Sequence, residues 1–292
     1  MIMQQGADEK IGSPQVWRAG EVIDAGKVAE VEHIIRSVGR QEVLTRFRRL
    51  TNGDVFEKAP GDPVTVADQA TESALAQRLT ALLPGSVVVA EEAVSTDRTV
   101  LGRLTGPQPV WIIDPIDGTE NFISGNPRFS ILVALARHGQ VLASWTHAPA
   151  LGTTATATAG GGAFVDGRRV QVAPAPRGLR HLDVVVPLPR WCTAADQAQI
   201  DGLAQHRVSL SYLDTSGLEY VELASGRRCA MVLNWENCWD HAAGLLLYQE
   251  AGGVCITADG SKFRLEGGNR LPFVAAPDLA CATAVHATLA AG

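Results

Sequence analysis

Apolar residues recur at intervals of three and four positions in several stretches of the chain, which is the spacing of one face of an α-helix. The first stretch runs from about Val16 to Leu50, and we expect Gly39 to end or interrupt its helix. The second, from Gln69 to Leu83, carries four leucines on one face. Three shorter helices are predicted in the second half of the chain, over Ala194–Gln205, Ser216–Ser225 and Leu245–Ala251.

Short apolar or β-branched runs between these helices predict β-strands. The predicted strands cover residues 86–90, 110–113, 130–136, 141–146, 153–159, 184–186, 208–213 and 231–233. The Pro- and Gly-containing segment 57–63 is predicted to be a loop. Residues 160–167 are glycine-rich like a phosphate-binding loop, but they lack the Lys-Ser/Thr pair and the following helix of such a loop, so a hairpin is expected.

The chain contains no internal repeat and no low-complexity linker. We therefore expect two halves that pack tightly against each other, over residues 15–150 and 151–292, preceded by a flexible tail at 1–14. The tail is polar and has no apolar core of a signal peptide.

Two carboxylates follow the apolar run 110–113, at Asp114 and Asp117. Asp-Pro and Asp-Gly are turn signals, so a tight loop is expected to direct both carboxylates, with the Ile116 carbonyl between them, toward one point. Close carboxylates need a cation, and hard oxygen ligands suit Mg²⁺, Mn²⁺ or Ca²⁺. The backbone N–H groups of Gly118 and Thr119 suit a phosphate oxygen. The alternative is an ordinary surface turn.

Three other acidic positions are open to two interpretations. Asp68 and Asp240 each lie where a helix begins, and there an aspartate can simply cap the helix. Glu91 and Glu92 end a predicted strand, where a solvated turn is the alternative to one carboxylate that faces inward.

Composition excludes several classes of protein. The 292 residues are 46% hydrophobic and 19% charged, which is typical of a globular protein. A net charge of −6 and the absence of a Lys/Arg block argue against a nucleic-acid surface. No apolar run approaches the ~20 residues of a membrane span. The five scattered cysteines predict a reducing compartment, so a cytoplasmic location is expected.

Four motifs together resemble the signatures of the inositol monophosphatase family of metal-dependent, lithium-sensitive phosphatases. In chain order they are Asp62-Pro-Val-Thr-Val-Ala-Asp68, Ala90-Glu-Glu92, Asp114-Pro-Ile-Asp-Gly-Thr119 with Asn121-Phe122, and Trp239-Asp240-His-Ala-Ala-Gly244 with Glu250-Ala-Gly-Gly253. Ala90 replaces the family's usual glycine. The resemblance spans nearly the whole chain outside the tail.

The resemblance implies an αβαβα layered sandwich of the α+β or α/β class, and a homodimer. It implies two or three Mg²⁺ ions, with Mn²⁺ as a substitute: Glu91, Asp114 and the Ile116 carbonyl hold one, and Asp114, Asp117 and Asp240 hold the second. Phosphate is hydrolysed by direct attack of a metal-activated water, which Glu91 and Thr119 position while Asp68 polarises Thr119. The substrate contacts expected are Asp117, Gly118, Thr119, Ser216 and Asp240, with Glu236 as an acceptor that replaces a family contact absent from this chain.

The chain departs from inositol-specific members of the family at one position that bears on the choice of substrate. They carry a glutamate seven residues before the Trp-Asp aspartate, and Leu233 stands there. We therefore expect a small phosphorylated polyol, sugar or amino alcohol, selected by residues 233–236. Trp235 offers a stacking face or packs at a domain or subunit seam. The alternatives are a 3′(2′),5′-bisphosphate nucleotidase, a histidinol-phosphate phosphatase, or a silent relative that binds phosphometabolites, although such a relative would be expected to lack a ligand.

Overall fold

The computed structural model describes residues 22–291, so the predicted tail and the first residues of the helix predicted from Val16 lie outside it. The helices in this range are α1 (Ala25–Val38), α2 (Val66–Leu82), α3 (Glu91–Thr96), α4 (Thr119–Ser124), α5 (Ala194–Gln205), α6 (Ser216–Ala224), α7 (Cys238–Glu250) and α8 (Leu279–Ala291). At Gly39 the first helix changes to a π-helical turn, Gly39–Val43, which is the predicted interruption. Shorter 3₁₀ turns cover Asn52–Asp54, Arg98–Thr105, Leu179–His181 and Pro189–Trp191.

The strands form two main sheets and a separate hairpin. The hairpin is β1 (Val55–Ala59) with β2 (Asp62–Thr65). The larger sheet runs in chain order through β3 (Val87–Ala90), β4 (Val110–Asp117), β5 (Ser130–Arg137), β6 (Gln140–Ala148), β7 (Thr153–Thr158), β8 (Gly162–Val165) and β9 (Arg168–Val170). The smaller sheet has the order β11 (Ser209–Tyr212), β10 (Asp183–Val186), β12 (Ala230–Leu233), β14 (Phe273–Ala276) and β13 (Val254–Ile256).

The helices and sheets form five layers, which pack around three apolar cores. The first core lies between α1, α2 and one face of the larger sheet, and it includes Ile35, Leu75 and Trp111. The second lies between the other face of that sheet, α6, α7 and one face of the smaller sheet. The third lies between the smaller sheet, α5 and α8. In β10, Val184 and Val186 enter the third core while Val185 enters the second, as strand alternation requires. The order of layers is the αβαβα sandwich that was expected.

Several boundaries differ from the sequence predictions. Segment 57–63 forms most of the β1–β2 hairpin rather than a loop. The larger sheet continues to Val170, so the chain leaves it well after the boundary predicted at residue 150. Helix α2 starts three residues before Gln69, because Thr65 and Asp68 form a capping box at its beginning. Helix α7 starts seven residues before Leu245. None of the helices in residues 22–291 is both long and apolar enough to cross a membrane.

Helices α6 and α7 pack closely because Gly244 has no side chain. A Cβ atom added at Gly244 would lie 2.0 Å from Cδ2 of Tyr220, a fully buried ring of α6. Both helices carry residues of the candidate site described below. The contact between Gly244 and Tyr220 therefore sets the distance between the site residues on α6 and those on α7.

We predict that Gly244→Ala lowers the free energy of unfolding by about 1–3 kcal/mol, because the added methyl group overpacks the Tyr220 ring. Chemical denaturation measures this. Gly102→Ala is the control, since nothing lies within 4 Å of its added Cβ and its φ is not positive. Equal stability of the two variants would show that the α6–α7 contact can relax.

Candidate active site

One cavity of about 810 Å³ collects most of the residues singled out in the sequence. Its lining combines residues from the β1–β2 hairpin, the end of β4, the starts of α3 and α4, and the starts of α6 and α7. The predicted site residues that line it are Glu91, Asp114, Ile116, Asp117, Gly118, Thr119, Ser216 and Asp240. The cavity therefore brings together residues from both halves of the chain.

A β-bulge places Asp114 and Asp117 on the same side of the sheet. Asp114 pairs with Leu132 and Asp117 pairs with Ser130, so three steps along β4 match two steps along β5. In a regular strand, residues three apart face opposite sides, and one extra residue brings them to the same side. The turn predicted at Asp114-Pro115 is therefore wrong: the strand continues to Asp117, and Pro115 is accommodated in the bulge.

The start of α6 fixes the Asp117 carboxylate. Its Oδ1 accepts a hydrogen bond from the Ser216 N–H (3.1 Å), and its Oδ2 accepts bonds from the Gly217 N–H (2.8 Å) and the Ser130 hydroxyl (3.0 Å). Burial raises the pKa of Asp117 to about 6, and these hydrogen bonds oppose the rise. Gly217 is required here, because an added Cβ would lie 2.3 Å from the Leu132 side chain. Sequence analysis missed both Ser130 and Gly217.

Asp114 is the most constrained of the carboxylates. It is 2% exposed, and its Oδ1 is buried without a hydrogen-bond partner. Burial raises its pKa well above the usual range, and the charges of Glu91, Asp117 and Asp240 raise it further. A buried hydrogen-bond acceptor without a partner lowers the stability of the folded protein. A bound cation would pair this oxygen.

Lys58 provides the positive charge near Glu91. Its Nζ donates to Glu91 Oε1 (2.5 Å) and to Glu92 Oε1 (3.1 Å), and all three side chains are largely buried. Because segment 57–63 was interpreted as a loop, sequence analysis did not include Lys58. Glu72 of α2 supports the same region, since its carboxylate accepts bonds from the N–H groups of Glu92 and Ala93.

Asp68 lies next to Thr119, which lines the cavity. Oδ2 of Asp68 accepts bonds from the Thr65 N–H (2.8 Å) and hydroxyl (2.6 Å), which leaves Oδ1 at 3.3 Å from the Thr119 hydroxyl. The same hydroxyl lies 3.0 Å from the Ile116 carbonyl oxygen. Asp68 is fully buried, and burial raises its pKa to about 6. Asp68 therefore both closes the capping box of α2 and reaches Thr119.

Gly118 connects β4 to α4 with a φ of 91°. This left-handed conformation favours glycine. An added Cβ would also lie 2.5 Å from Cγ2 of Thr215. The tight connection places the Thr119 N–H at the start of α4 directly after the two aspartates.

Asp240 is the third residue of α7 and not its cap, which is Asn237. The Asn237 side chain donates to Asp240 Oδ2 (3.3 Å). Burial raises the pKa of Asp240 well above the usual range, and the charges of Glu91 and Asp117 add to the rise, whereas Asn237 and the nearby Trp235 indole oppose it. An acidic residue in the first turn also interacts favourably with the helix dipole.

Two residues of the segment 233–236, which was expected to select the substrate, lie outside the cavity lining. The Glu236 carboxylate accepts bonds from the backbone N–H (2.8 Å) and side-chain amide (2.9 Å) of Asn269, and it does not line the cavity. These bonds satisfy it outside the site, contrary to the prediction. Leu233 is fully buried in β12. Of the segment 233–236, Asn234 and Trp235 reach the cavity.

The donor set suits a hard divalent cation. Four carboxylates and one backbone carbonyl supply only oxygen atoms, and Asp114 keeps a buried oxygen unpaired. In residues 22–291, no three acidic, His or Cys side chains are already arranged around a common metal position. In chemistry the donor set matches hard divalent cations as a class, and the Lys58 ammonium contacts one of the carboxylates.

Comparison with known proteins gives a consistent result. The family model described as "Inositol monophosphatase family" matches residues 24–291. An inositol-1-monophosphatase of Mesorhizobium japonicum is 32% identical over 230 residues, 76% of this chain and 82% of that protein. A histidinol-phosphatase of Chlorobaculum parvum is 32% identical over 219 residues, 73% and 79% of the two chains.

The fold also has counterparts among solved structures. The extragenic suppressor protein suhB of Bartonella henselae superposes with a TM-score of 0.79 at 25% identity, and the match covers 91% of this chain and 99% of that one. With the cavity, the sequence motifs and the family model in agreement, this chain belongs to the inositol monophosphatase family.

Proposed function

We propose that this phosphomonoesterase requires Mg²⁺ and hydrolyses the ester of a small phosphorylated polyol, sugar or amino alcohol by direct attack of water. The observation that carries the proposal is the convergence of Glu91, Asp114, Asp117 and Asp240 on one cavity, with the buried Asp114 oxygen unpaired. Among residues 22–291, Lys58 is the cationic side chain that contacts this group, through its bond to Glu91.

Each acidic side chain has a distinct role in this proposal. Glu91, Asp114 and the Ile116 carbonyl would hold one Mg²⁺, and Asp114, Asp117 and Asp240 would hold another. Bound Mg²⁺ would neutralise phosphate charge and lower the pKa of water. The hydrogen bonds to Asp117 from Ser216 and Gly217 keep its two oxygens oriented while the local charge changes.

Thr119 and Asp68 would act on the attacking water. An ionised Asp68 accepts the hydrogen bond of the Thr119 hydroxyl, so the hydroxyl oxygen can accept a hydrogen bond from water. Glu91 would accept the proton that the water loses. The N–H groups of Gly118 and Thr119 would hold phosphate oxygens. Water attacks phosphorus, the P–O bond to the alcohol breaks, and no residue becomes phosphorylated.

The proposed substrate class agrees with the relatives, which are named for inositol monophosphate and for histidinol phosphate. The bisphosphate nucleotidase remains an alternative within the same chemistry. A homodimer is an inference from the family resemblance, and a cytoplasmic location is an inference from the scattered cysteines.

We predict that excess chelator abolishes phosphate release from monoesters and that Mg²⁺ restores it, with Mn²⁺ as a substitute and lithium as an inhibitor. Because bound cations stabilise only the folded state, Mg²⁺ should also raise the Tm. Release of phosphate and scanning fluorimetry measure the two effects. Undiminished turnover in chelator would contradict the proposal.

We predict that Asp240→Asn leaves the stability of the metal-free protein unchanged or raised, because the substitution keeps the shape and removes a repelled charge. Activity should fall by several powers of ten, and Mg²⁺ should raise the Tm less than it does in the wild type. Asp201→Asn, on the exposed side of α5, is the control. Retained activity would exclude Asp240 as a ligand.

We predict that Lys58→Met lowers the free energy of unfolding of the metal-free protein by about 1–3 kcal/mol, because Glu91 and Glu92 lose a largely buried charged partner. The loss should shrink in Mg²⁺, which supplies the missing charge. Denaturation in chelator and in Mg²⁺ tests this, with the exposed Lys27→Met as control. An equal loss of unfolding free energy in chelator and in Mg²⁺ would mean that Glu91 does not bind a cation in addition to Lys58.

A further inference from the structure

Part of the cavity wall is apolar and takes no part in the proposed chemistry. Besides the carboxylates, the cavity is lined by Leu188, Trp191, Leu213, Trp235 and Trp239. Trp191 is 40% exposed, although a large aromatic side chain is usually buried. An exposed tryptophan within a catalytic cavity indicates a surface for a ligand.

Trp191 and Trp235 form a corner. Their ring centroids are 6.1 Å apart and their planes meet at 80°. A third flat ring stacked parallel to one indole would meet the other at nearly a right angle. Parallel and perpendicular contacts are the two favoured arrangements of aromatic rings, so one ligand ring can satisfy both indoles at once.

The backbone of each tryptophan is fixed by a side chain behind it. The Asn234 amide donates to the Trp191 carbonyl (3.2 Å) and to the Asp196 carboxylate (3.1 Å) at the start of α5. Because both partners only accept, the orientation of this amide is determined.

His241 holds the other tryptophan. It is fully buried, and its Nε2 lies 3.0 Å from the Trp235 carbonyl, which can only accept. Nε2 therefore carries the proton, and Nδ1 accepts from the Tyr220 hydroxyl at 3.1 Å. The corner is thus held by α5 on one side and by α6 and α7 on the other.

The same wall offers little to a polyol. Leu233 is buried, and Glu236 is bonded to Asn269. The Asn234 NH₂ group already makes two bonds, and its Oδ1 is buried. A site that leaves substrate hydroxyls unpaired discriminates strongly against them.

The guanidinium beside this wall is already paired with a carboxylate. Arg190 packs over the Trp191 ring at 5.0 Å, and its guanidinium already pairs with Glu120 of α4. A second anion would have to displace Glu120 from this ion pair.

We propose that Trp191 and Trp235 form a leaving-group subsite for an aromatic ring, so that the substrate is the phosphate ester of a ring-bearing sugar or amino alcohol and not of a polyol. This inference rests on the proposed phosphatase function. The shared chemistry is the flat π face, and a nucleoside or an imidazole-bearing amino alcohol would supply it.

The test compares 2-phenylethyl phosphate with 2-cyclohexylethyl phosphate, which have similar size and the same kind of leaving alcohol. We expect kcat/KM to be on the order of tenfold higher for the phenyl ester, as stacking predicts. Histidinol phosphate and a nucleoside 2′-monophosphate, compared with inositol 1-phosphate, then identify the source of the ring. Equal values for phenyl and cyclohexyl esters, or inositol 1-phosphate as the best substrate, would overturn the subsite.

Variants test the exposed indole. Trp191→Ala should lower kcat/KM for the phenyl ester by roughly 10- to 100-fold, and for glycerol 2-phosphate by less than about threefold. Trp191→Phe should keep most of the preference. Tyr212→Ala, an exposed aromatic residue outside this cavity, is the control. Equal losses for both esters would overturn the assignment.

A measurement on the wild-type protein tests the subsite even if the variants do not fold. 2-Phenylethanol should inhibit as a product at lower concentration than 2-cyclohexylethanol, and equal inhibition would contradict the subsite. Absence of phosphate release from every ester would instead overturn the proposed function itself.

Discussion

The mutual repulsion of carboxylates within one cavity is the constraint around which this molecule is built. Asp114, Asp117, Asp240 and Glu91 raise one another's energy when ionised, and burial adds to the cost. Three of the four are held by neighbouring groups, whereas one oxygen of Asp114 has no hydrogen-bond partner. The start of α6 holds Asp117, Asn237 holds Asp240, and Lys58 of the β1–β2 hairpin holds Glu91.

These supports explain why the chain keeps small residues where helices approach the sheet. Gly217 lets the first turn of α6 reach Asp117, and Gly244 lets α7 pack on Tyr220. The same two helices hold Trp235 through Tyr220 and His241. Packing in the second apolar core and geometry in the cavity are thus set by the same contacts, so a substitution in that core can alter the site without touching it.

Much of the fold was predictable because its helices and strands have clear periodicity. The α5 boundaries were predicted from apolar spacing, and the valines of β10 lie where expected. The carboxylates could be found because a sequence motif marks each one. The β1–β2 hairpin was not predicted, because its Pro and Gly residues indicated a loop, although both also occur in edge strands and turns. Lys58 lies on this hairpin and was therefore not predicted either.

Other features depend on tertiary contacts that no local pattern encodes. Nothing in the segment 234–237 shows that Glu236 binds Asn269 while Trp235 enters the cavity. The role of Asp68 is similar: its position predicts a helix cap, and only the fold shows that its second oxygen reaches Thr119, 51 residues away.

The bulge in β4 limits which sequence changes this site can accept during evolution. Asp114 and Asp117 share a side of the sheet because the strand carries one residue more than its partner between them. Side chains at the two intervening positions can be exchanged without altering that count. Insertion or deletion of a single residue would turn one aspartate to the opposite face and leave every ligand present in the sequence. The segment is therefore tolerant of substitution and intolerant of a change in length, the reverse of an ordinary surface loop.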